Sequence, residues 1–313
     1  MSAVGWQETY RGTVYRWEVD NNDHLTVAYY FAHLGDATLA VLEGLGLGSA
    51  YRERTGCRWV TVDVHARYMH ELRVNDIMHI TSGVLGVDGD GLRIGHKLFN
   101  SETGALCTTF EQRLLHTGAG WAAVALDADA RHAAAEREVA WDGPARERRP
   151  QPRALEGFEE SARDTIKPWE IDTLGGPALS AYIHRFSAAN AHALAAFGFT
   201  PGYMRTENRG FSTFEFQCAF TGELKAGDPV VVRSALLHVG NSSMRMLHVM
   251  VNERTGGRVA SLEQSGVHLD LHARRPAPLP DALRERARAR LLDWLNMGAS
   301  KGPNPPNARS APP

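Results

Sequence analysis

The sequence predicts an α+β protein built twice over, each copy one long amphipathic helix laid against an antiparallel sheet. Three observations carry that expectation. A Trp-Glu-[Val/Ile]-Asp lead-in occurs twice, as WEVDNNDHLTVAYY at 17–30 and WEIDTLGGPALSAY at 169–182. Laid on itself at an offset of 152 residues, the chain gives 23 identities in the 100 gap-free pairs from 17 to 116, where unrelated sequences of ordinary composition give about 6. Within each copy a helical apolar period then gives way to β-branched, strand-like runs broken by turn signals.

In the first copy Val27, Tyr30, Phe31, Leu34, Ala37, Val41 and Leu42 recur at three- and four-residue steps, Thr26 stands where an N-cap belongs, and GLGLG ends the run. RWVTVDVHARYM, DIMHITSGVLGV, LRIGHKLFN and ALCTTFEQRLLH then read as strands, with DGDG and SETG as turns. The second copy repeats the pattern as GFSTFEFQCAF, DPVVVRSALLHV, MRMLHVMVN and RVASLEQSGVHL, with turns at GNSS and ERTG. A helix followed by a meander is a two-layer arrangement in which the helix covers one sheet face.

The division expected is 1–116 and 161–273 for the two copies, 117–160 for a connection, and 274–313 for a C-terminal extension. The connection is rich in Ala, Arg, Glu and Pro and has no counterpart in either repeat. Asp127–Glu138 reads as a helix, and Gly143-Pro144 and Pro150-x-Pro152 as an extended strap. Residues 280–298 read as a further helix and the last fifteen as disordered.

With 43% apolar and 22% charged residues the composition is that of a globular protein, and 34 Lys and Arg against 36 Asp and Glu leave no net field toward nucleic acid or anionic membranes. Cys57, Cys107 and Cys218 have no CxxC or ligand spacing and read as buried thiols in a reducing compartment. MSAVGWQETYRG is unlike a signal peptide, and no apolar run approaches the roughly 20 residues that span a bilayer. The expectation is a cytoplasmic protein with no metal cluster and no cofactor motif. GLGLG follows a helix rather than a strand, so it is not a dinucleotide loop.

The loop and helix, the Glu-Leu-x-x-x-Asp turn at 71–76 and the closing strands resemble the hot dog fold acyl-CoA thioesterases of the 4-hydroxybenzoyl-CoA thioesterase type. The family's loop reads D-x-x-G-H-x-N. Asp20-Asn21-Asn22-Asp23-His24-Leu25-Thr26 keeps its Asp and His, with Asp23 at the usual Gly and Thr26 at the usual Asn; Asp172 to Ala178 keeps Asp and Gly without the His. The stretch DNNDHLTVAYYFAHLGDATLAVLEGLGLGSAYRERTG is also similar to betainyl-CoA thioesterases. The resemblance implies a tandem, double hot dog fold, since such domains work in pairs. It implies an acyl-CoA substrate with a small or polar acyl group, and an assembly open to homo-oligomers.

Thioester hydrolysis needs a carboxylate to attack the carbonyl or activate water, and donors for the oxyanion. Asp20 and Asp172 each precede a helix N-terminus, where unpaired N–H groups and the helix dipole suit developing negative charge. The resemblance places the donors around Val27-Ala28 and Leu179-Ser180. The candidate site residues are therefore Asp20, His24 and Asp172 for chemistry, and Thr26, Val27, Ala28, Tyr30, Gly175, Gly176, Leu179 and Ser180 for binding. Because its loop keeps more of the family pattern, the Asp20 site is expected to be the main one. Asp63 and Glu215 are weaker site candidates. His96/His248 and Glu111/Glu263 read as hydrogen-bonded sheet residues, and Asp76/Asp228 as turn residues. Trp17, Trp169, Tyr29, Tyr30 and Trp59 could cage a quaternary ammonium group. Two other classes stay open. One is a hydratase on the same fold, although an Asp followed by Asn-Pro and a His five residues on is absent. The other is an acyl-CoA-binding module without catalysis.

Overall fold

The computed structural model describes residues 5–20, 22–118, 121–147, 149, 152 and 154–292. In the first copy, strand β1 (Gln7–Thr13) leads through a 3-10 turn into helix α1 (Val27–Gly44) and a short helix α2 (Ser49–Thr55), followed by β2 (Arg58–Tyr68), β3 (Ile77–Asp88), β4 (Gly91–Asn100) and β5 (Leu106–Thr117). After helix α3 (Ala128–Ala135) and the strap comes the second copy. It comprises β6 (Glu159–Thr165), α4 (Leu179–Ala196), α5 (Pro201–Glu207), β7 (Arg209–Phe220), β8 (Pro229–Val239), β9 (Ser243–Asn252) and β10 (Arg258–Asp270), then β11 (Arg275–Pro276) and α6 (Asp281–Arg288). The short helices α2 and α5 were not anticipated; α5 starts on the Thr200-Pro201 cap, which is readable as such.

All strands join one antiparallel sheet in the order β1-β3-β4-β5-β2-β7-β10-β9-β8-β6, with β11 on β10. The copies meet at β2 and β7, paired from Asp63↔Ala219 to Arg67↔Glu215 with His65↔Gln217 at the centre. His65 and Gln217 are the same position in the two copies, so a pseudo-twofold axis passes between them. Helices α1 and α4 pack against each other on one face, Tyr29 edge-on to His184. Their apolar faces share one core, in which Phe31 meets both Phe110 and Phe216.

Several identities between the copies are structural. Tyr51 Oη lies 3.1 Å from His116 Nε2 while His116 Nδ1 meets Val124 O at 2.8 Å; Tyr203, His268 and Ala277 O repeat this at 3.1 and 2.9 Å. Asp76 and Asp228 close their turns by accepting from Arg73 N and Lys225 N. His96 is held by Ser82 and Gln112, as expected of a hydrogen-bonded sheet residue.

The connection does have a counterpart, contrary to the sequence expectation. Helix α3 corresponds to α6, and the chain after each joins the same place in its sheet: Glu138 bridges Val84, and Leu291 bridges Leu236, the residue 152 positions after Val84. The repeat is legible in backbone pairing where side chains have diverged. Helix α3 also ends at Ala135, short of Glu138, and α6 at Arg288, because Leu291 and Leu292 turn to pair with Leu236. Residues 293–298 of the expected helix and the final fifteen lie outside the described residues.

Beyond α3 the strap crosses the sheet face opposite the helices. Gly83 and Gly95 are cross-strand neighbours, and a Cβ on either would fall 2.4 Å from Val139 or 2.7 Å from Trp141, so the two glycines form the groove that seats the strap. Farther along, Arg146 pairs with Asp63, and Arg149 reaches Glu263 at 2.7 Å and Glu215 at 2.8 Å. Glu215 also meets His65 at 2.9 Å. Burial pushes the Glu215 carboxyl up, but His65 and Arg149 outweigh it and hold the group well below the usual carboxylate range. Asp63 and Glu215 thus stitch the strap over the joint between copies and line no helix-side cavity. Cys107 and Cys218 are buried and Cys57 half-buried, all three as free thiols.

Candidate active site

Each Asp sits in the same turn. Asp20 Oδ1 accepts from Asn22 N at 2.8 Å and His24 N at 3.2 Å, and among the described residues Oδ2 meets the Asn22 side-chain amide at 3.5 Å. Asp172 Oδ1 accepts from Leu174 N at 2.9 Å. The preceding Glu of the lead-in folds the chain back: Glu18 O accepts from Thr26 N and Glu170 O from Ala178 N, both at 2.8 Å. That answers why the lead-in recurs: Glu and Asp together shape the loop that delivers the chain to a helix start. The position after the turn needs a left-handed backbone in both copies, with φ of 61° at Asp23 and 86° at Gly175. Glycine adopts it freely, and Asp is among the few other residues that tolerate it, so Asp23 preserves the loop where the family has Gly.

Thr26 and Ala178 are the N-cap positions, and neither side chain caps its helix. Val27-Ala28 and Leu179-Ser180 are the first two residues of α1 and α4, whose N–H groups have no intrahelical acceptor.

Two cavities result, related by the duplication. The first, about 570 Å³, is lined from copy one by Asp20, His24, Thr26, Val27 and Tyr30, and from copy two by Ser187 and Asn190 of α4, Phe211 to Phe214 of β7, and Gln264 of β10. The second, about 240 Å³, is lined by Asp172, Gly176, Leu179 and Ser180 from copy two, and by Gly35, Asp36 and Thr38 of α1, Arg58 to Thr61 of β2, and Gln112 from copy one. Each cavity takes its loop from one copy and its far wall from the other, so neither copy alone could complete one. Ala28 is fully buried and lines neither; Gly175 turns the chain beneath Arg52 and Arg58 instead of facing the cavity.

The electrostatics of the cavities differ. At the first, Glu71 lies 3.1 Å from His24 Nε2, and Arg274, arriving from the turn after β10, contacts both groups and Asn22 O at 3.2 Å. Burial favours the neutral Glu71, but its bonds to His24 and Arg274 prevail and bring its pKa down to about 2. This clamp ties the loop of copy one to copy two. At the second cavity, burial raises Asp172 against the backbone N–H groups of Leu174, Gly176 and Gly175. Burial raises Asp36 as well. Arg52 holds Thr173 O, while Arg58 spans Gly175 O at 3.1 Å and Glu223 at 2.5 Å.

Asp36, Arg58, Asn190, Gln112 and Gln264 were not singled out from sequence. They reach a cavity only through the partnership of the two copies, which no local motif records. The aromatic set is not assembled: Trp17 and Trp169 are 68% and 81% exposed, Tyr30 lines the first cavity and Trp59 the second. Among the described residues no group of His, Cys, Asp and Glu could hold a metal ion, and no helix is long and apolar enough to cross a membrane.

Known proteins agree with this architecture. Betainyl-CoA thioesterase of Pseudomonas aeruginosa is 33% identical over 108 residues, 34% of this chain and 68% of that protein. The L-carnitine dehydrogenase/betainyl-CoA thioesterase of Agrobacterium fabrum is 38% identical over 98 residues, 31% of this chain, which spans only 20% of that longer protein. A structure from Lactobacillus plantarum, provisionally assigned as an oleoyl thioesterase, superposes with a TM-score of 0.69 at 11% identity, covering 89% of this chain and 98% of its own; it speaks to fold alone. The profile of the Thioesterase-like superfamily matches residues 14–133 and again 166–287. With both copies matched over most of their length, the chain belongs to the Thioesterase-like superfamily, as a double hot dog in which two copies fuse into one sheet.

Proposed function

We propose that this chain hydrolyses the CoA thioester of a small or polar acyl group to the free acid and CoA, with the chemistry in the Asp20 cavity. The observation that supports it most is the composite geometry: a carboxylate loop and an uncapped helix N-terminus from one copy facing a wall supplied by the other. In this reading the thioester carbonyl lies against the N–H of Val27 at the start of α1, which stabilises the oxyanion. Either Asp20 takes the proton from an attacking water and collapse of the adduct breaks the C–S bond to give the acid directly, or Asp20 itself attacks, the C–S bond breaks to leave a mixed anhydride, and water then hydrolyses that anhydride to the acid and free Asp20; in both, the CoA sulfur leaves and takes up a proton. His24, fixed by Glu71 and Arg274, holds the loop in place. The reaction needs no cofactor.

The Asp20 cavity is the larger, and Asp20 is exposed where Asp172 is half-buried with its loop tied down by Arg52 and Arg58. We assign the second cavity to ligand binding or to a slower turnover. Residence in the cytoplasm and assembly of these two-copy subunits into a homo-oligomer belong to the same reading. Free-thiol release across short, branched, aromatic and betainyl CoA thioesters tests it. Release from at least one small or polar ester supports the reading. Tight binding without release would mean a non-catalytic binding module, and hydration of crotonyl-CoA, followed by loss of its enoyl absorbance, would mean a hydratase.

A further inference from the structure

The two cavities end in the same buried polar chain, closed in one and open in the other. In copy one, Ser82 meets His96 Nδ1 at 2.7 Å, and His96 Nε2 lies 3.1 Å from Gln112 Oε1. Thr38 donates to that same oxygen at 2.8 Å, and Gln112 Nε2 donates to Thr61 at 2.8 Å. Each polar group of this chain, from Ser82 through His96 and Gln112 to Thr38 and Thr61, has a partner. In copy two the outer half is retained: Ser234 meets His248 Nδ1 at 2.6 Å, and Gln264 Nε2 donates to Thr213 at 2.8 Å. The position of Thr38, however, is Asn190. Gln264 Oε1, Asn190 Oδ1 and His248 Nε2 are then buried without a hydrogen bond of ordinary geometry among the described residues, His248 and Gln264 keeping only a looser contact with each other. Gln264, only 4% exposed, and Asn190 both line the Asp20 cavity.

Buried polar atoms left unpaired are costly, and natural structures rarely keep them without a use. Two of the three are amide oxygens, which accept; the group that would satisfy them is a donor. It is also neutral, because this stretch of wall, from Ser187 and Asn190 to Thr213 and Gln264, carries no formal charge, whereas the second cavity has the Asp36 carboxylate where copy two has Ala188. Burying a cation there without a countercharge would be unfavourable.

Resting on the thioesterase reading of the same cavity, we propose that Asn190 and Gln264 determine specificity by accepting a hydrogen bond from a hydroxyl on the acyl chain, so that the preferred substrates are hydroxyacyl thioesters. A hydroxyl donates to one of the two amide oxygens. An alkyl chain of equal length leaves both oxygens unpaired.

The test compares 3-hydroxybutyryl-CoA with butyryl-CoA, both for kcat/KM in the wild type and for equilibrium binding by calorimetry in the Asp20→Asn variant. The expected preference for the hydroxyl compound is about tenfold or more. Asn190→Thr restores the residue of the closed network, so the variant keeps its fold while the preference falls to near unity; Asn190→Leu should do the same through loss of the acceptor. Butyryl-CoA bound and hydrolysed as well as its hydroxyl analogue overturns the proposal and leaves the thioesterase reading intact. A binding preference that Asn190→Thr abolishes, with no hydrolysis of any ester, upholds the proposal and overturns the thioesterase reading. A preference that survives Asn190→Thr places the recognition elsewhere and overturns it.

Discussion

Arg149 is the strap's main anchor, and its removal has a magnitude that can be worked out. Its guanidinium bridges Glu215 and Glu263, each 3% exposed, at 2.8 and 2.7 Å across the strands adjoining the joint. Arg149→Met keeps much of the stem volume and deletes the charge. Breaking a buried ion pair by losing one partner costs about 3–5 kcal/mol. Glu215 retains His65 at 2.9 Å and Arg67 at 3.4 Å, and Glu263 retains Arg245 at 3.5 Å, which argues for the lower end, about 3 kcal/mol. In a chain of this size that lowers Tm by about 4–5 °C. The pH dependence has a definite sign. The folded Glu215 is depressed below its unfolded value, so its contribution is present above about pH 4.3 and is lost as pH falls through the lower folded value. In the variant Glu215 rises toward its ordinary value, so the gap between wild type and Arg149→Met closes on acidification. Urea unfolding at pH 7.5 and pH 4 measures both effects. A loss under about 1 kcal/mol at pH 7.5, or a gap that does not shrink at pH 4, would refute the claim that this cluster clamps the strap to the joint.

Three further outcomes follow from the same geometry. Gly175→Ala places a Cβ 2.9 Å from the Arg52 guanidinium at a φ of 86° and should cost about 1–2 kcal/mol, while Asp23→Gly should be neutral or slightly stabilising; chemical denaturation of the pair decides whether the loop conformation is shared. Burial lowers the pKa of His96 to about 4 and of His248 to about 3. The unfolded chain therefore binds protons that the native one does not, and stability is full above about pH 6.5 and declines as pH falls below it. His248→Gln should flatten that slope by about one proton between pH 6 and 4, and an unchanged slope would contradict the burial account. Glu71→Gln loosens the clamp on His24, so kcat/KM should fall at neutral pH, where wild-type Glu71 is charged; the stability difference should vanish as pH approaches the Glu71 value of about 2.

The duplication, the helices and the sheet were legible because they are local: Val27 to Leu42 carry a 3.6 period and the strand runs are bounded by turns. The loop was legible as well, because Asp20 and Asp172 occupy one position of the repeat. What escaped was whatever depends on the partnership of the copies. Asn190 is a neutral residue on a helix until α4 packs beside α1 and its amide closes the cavity of the other copy's loop. The likeness of α3 to α6 was hidden for another reason: what the two share is that the chain after each makes a backbone bridge to β3 or β8, which constrains few side chains. Trp17 and Trp169, expected among the ligand aromatics, stand exposed beside the loops, since identity at an offset says that a position was inherited and not which way its side chain points.

The central claim is that one carboxylate, Asp20, in a cavity shared between the copies, carries thioester hydrolysis. The most direct measurement is free-thiol release from the best CoA thioester of the panel by wild type, Asp20→Asn and Asp172→Asn, with folding checked by thermal melt. The account predicts a fall of at least about a hundredfold in kcat for Asp20→Asn and a small change for Asp172→Asn. Full activity in Asp20→Asn, or a collapse confined to Asp172→Asn, would contradict it.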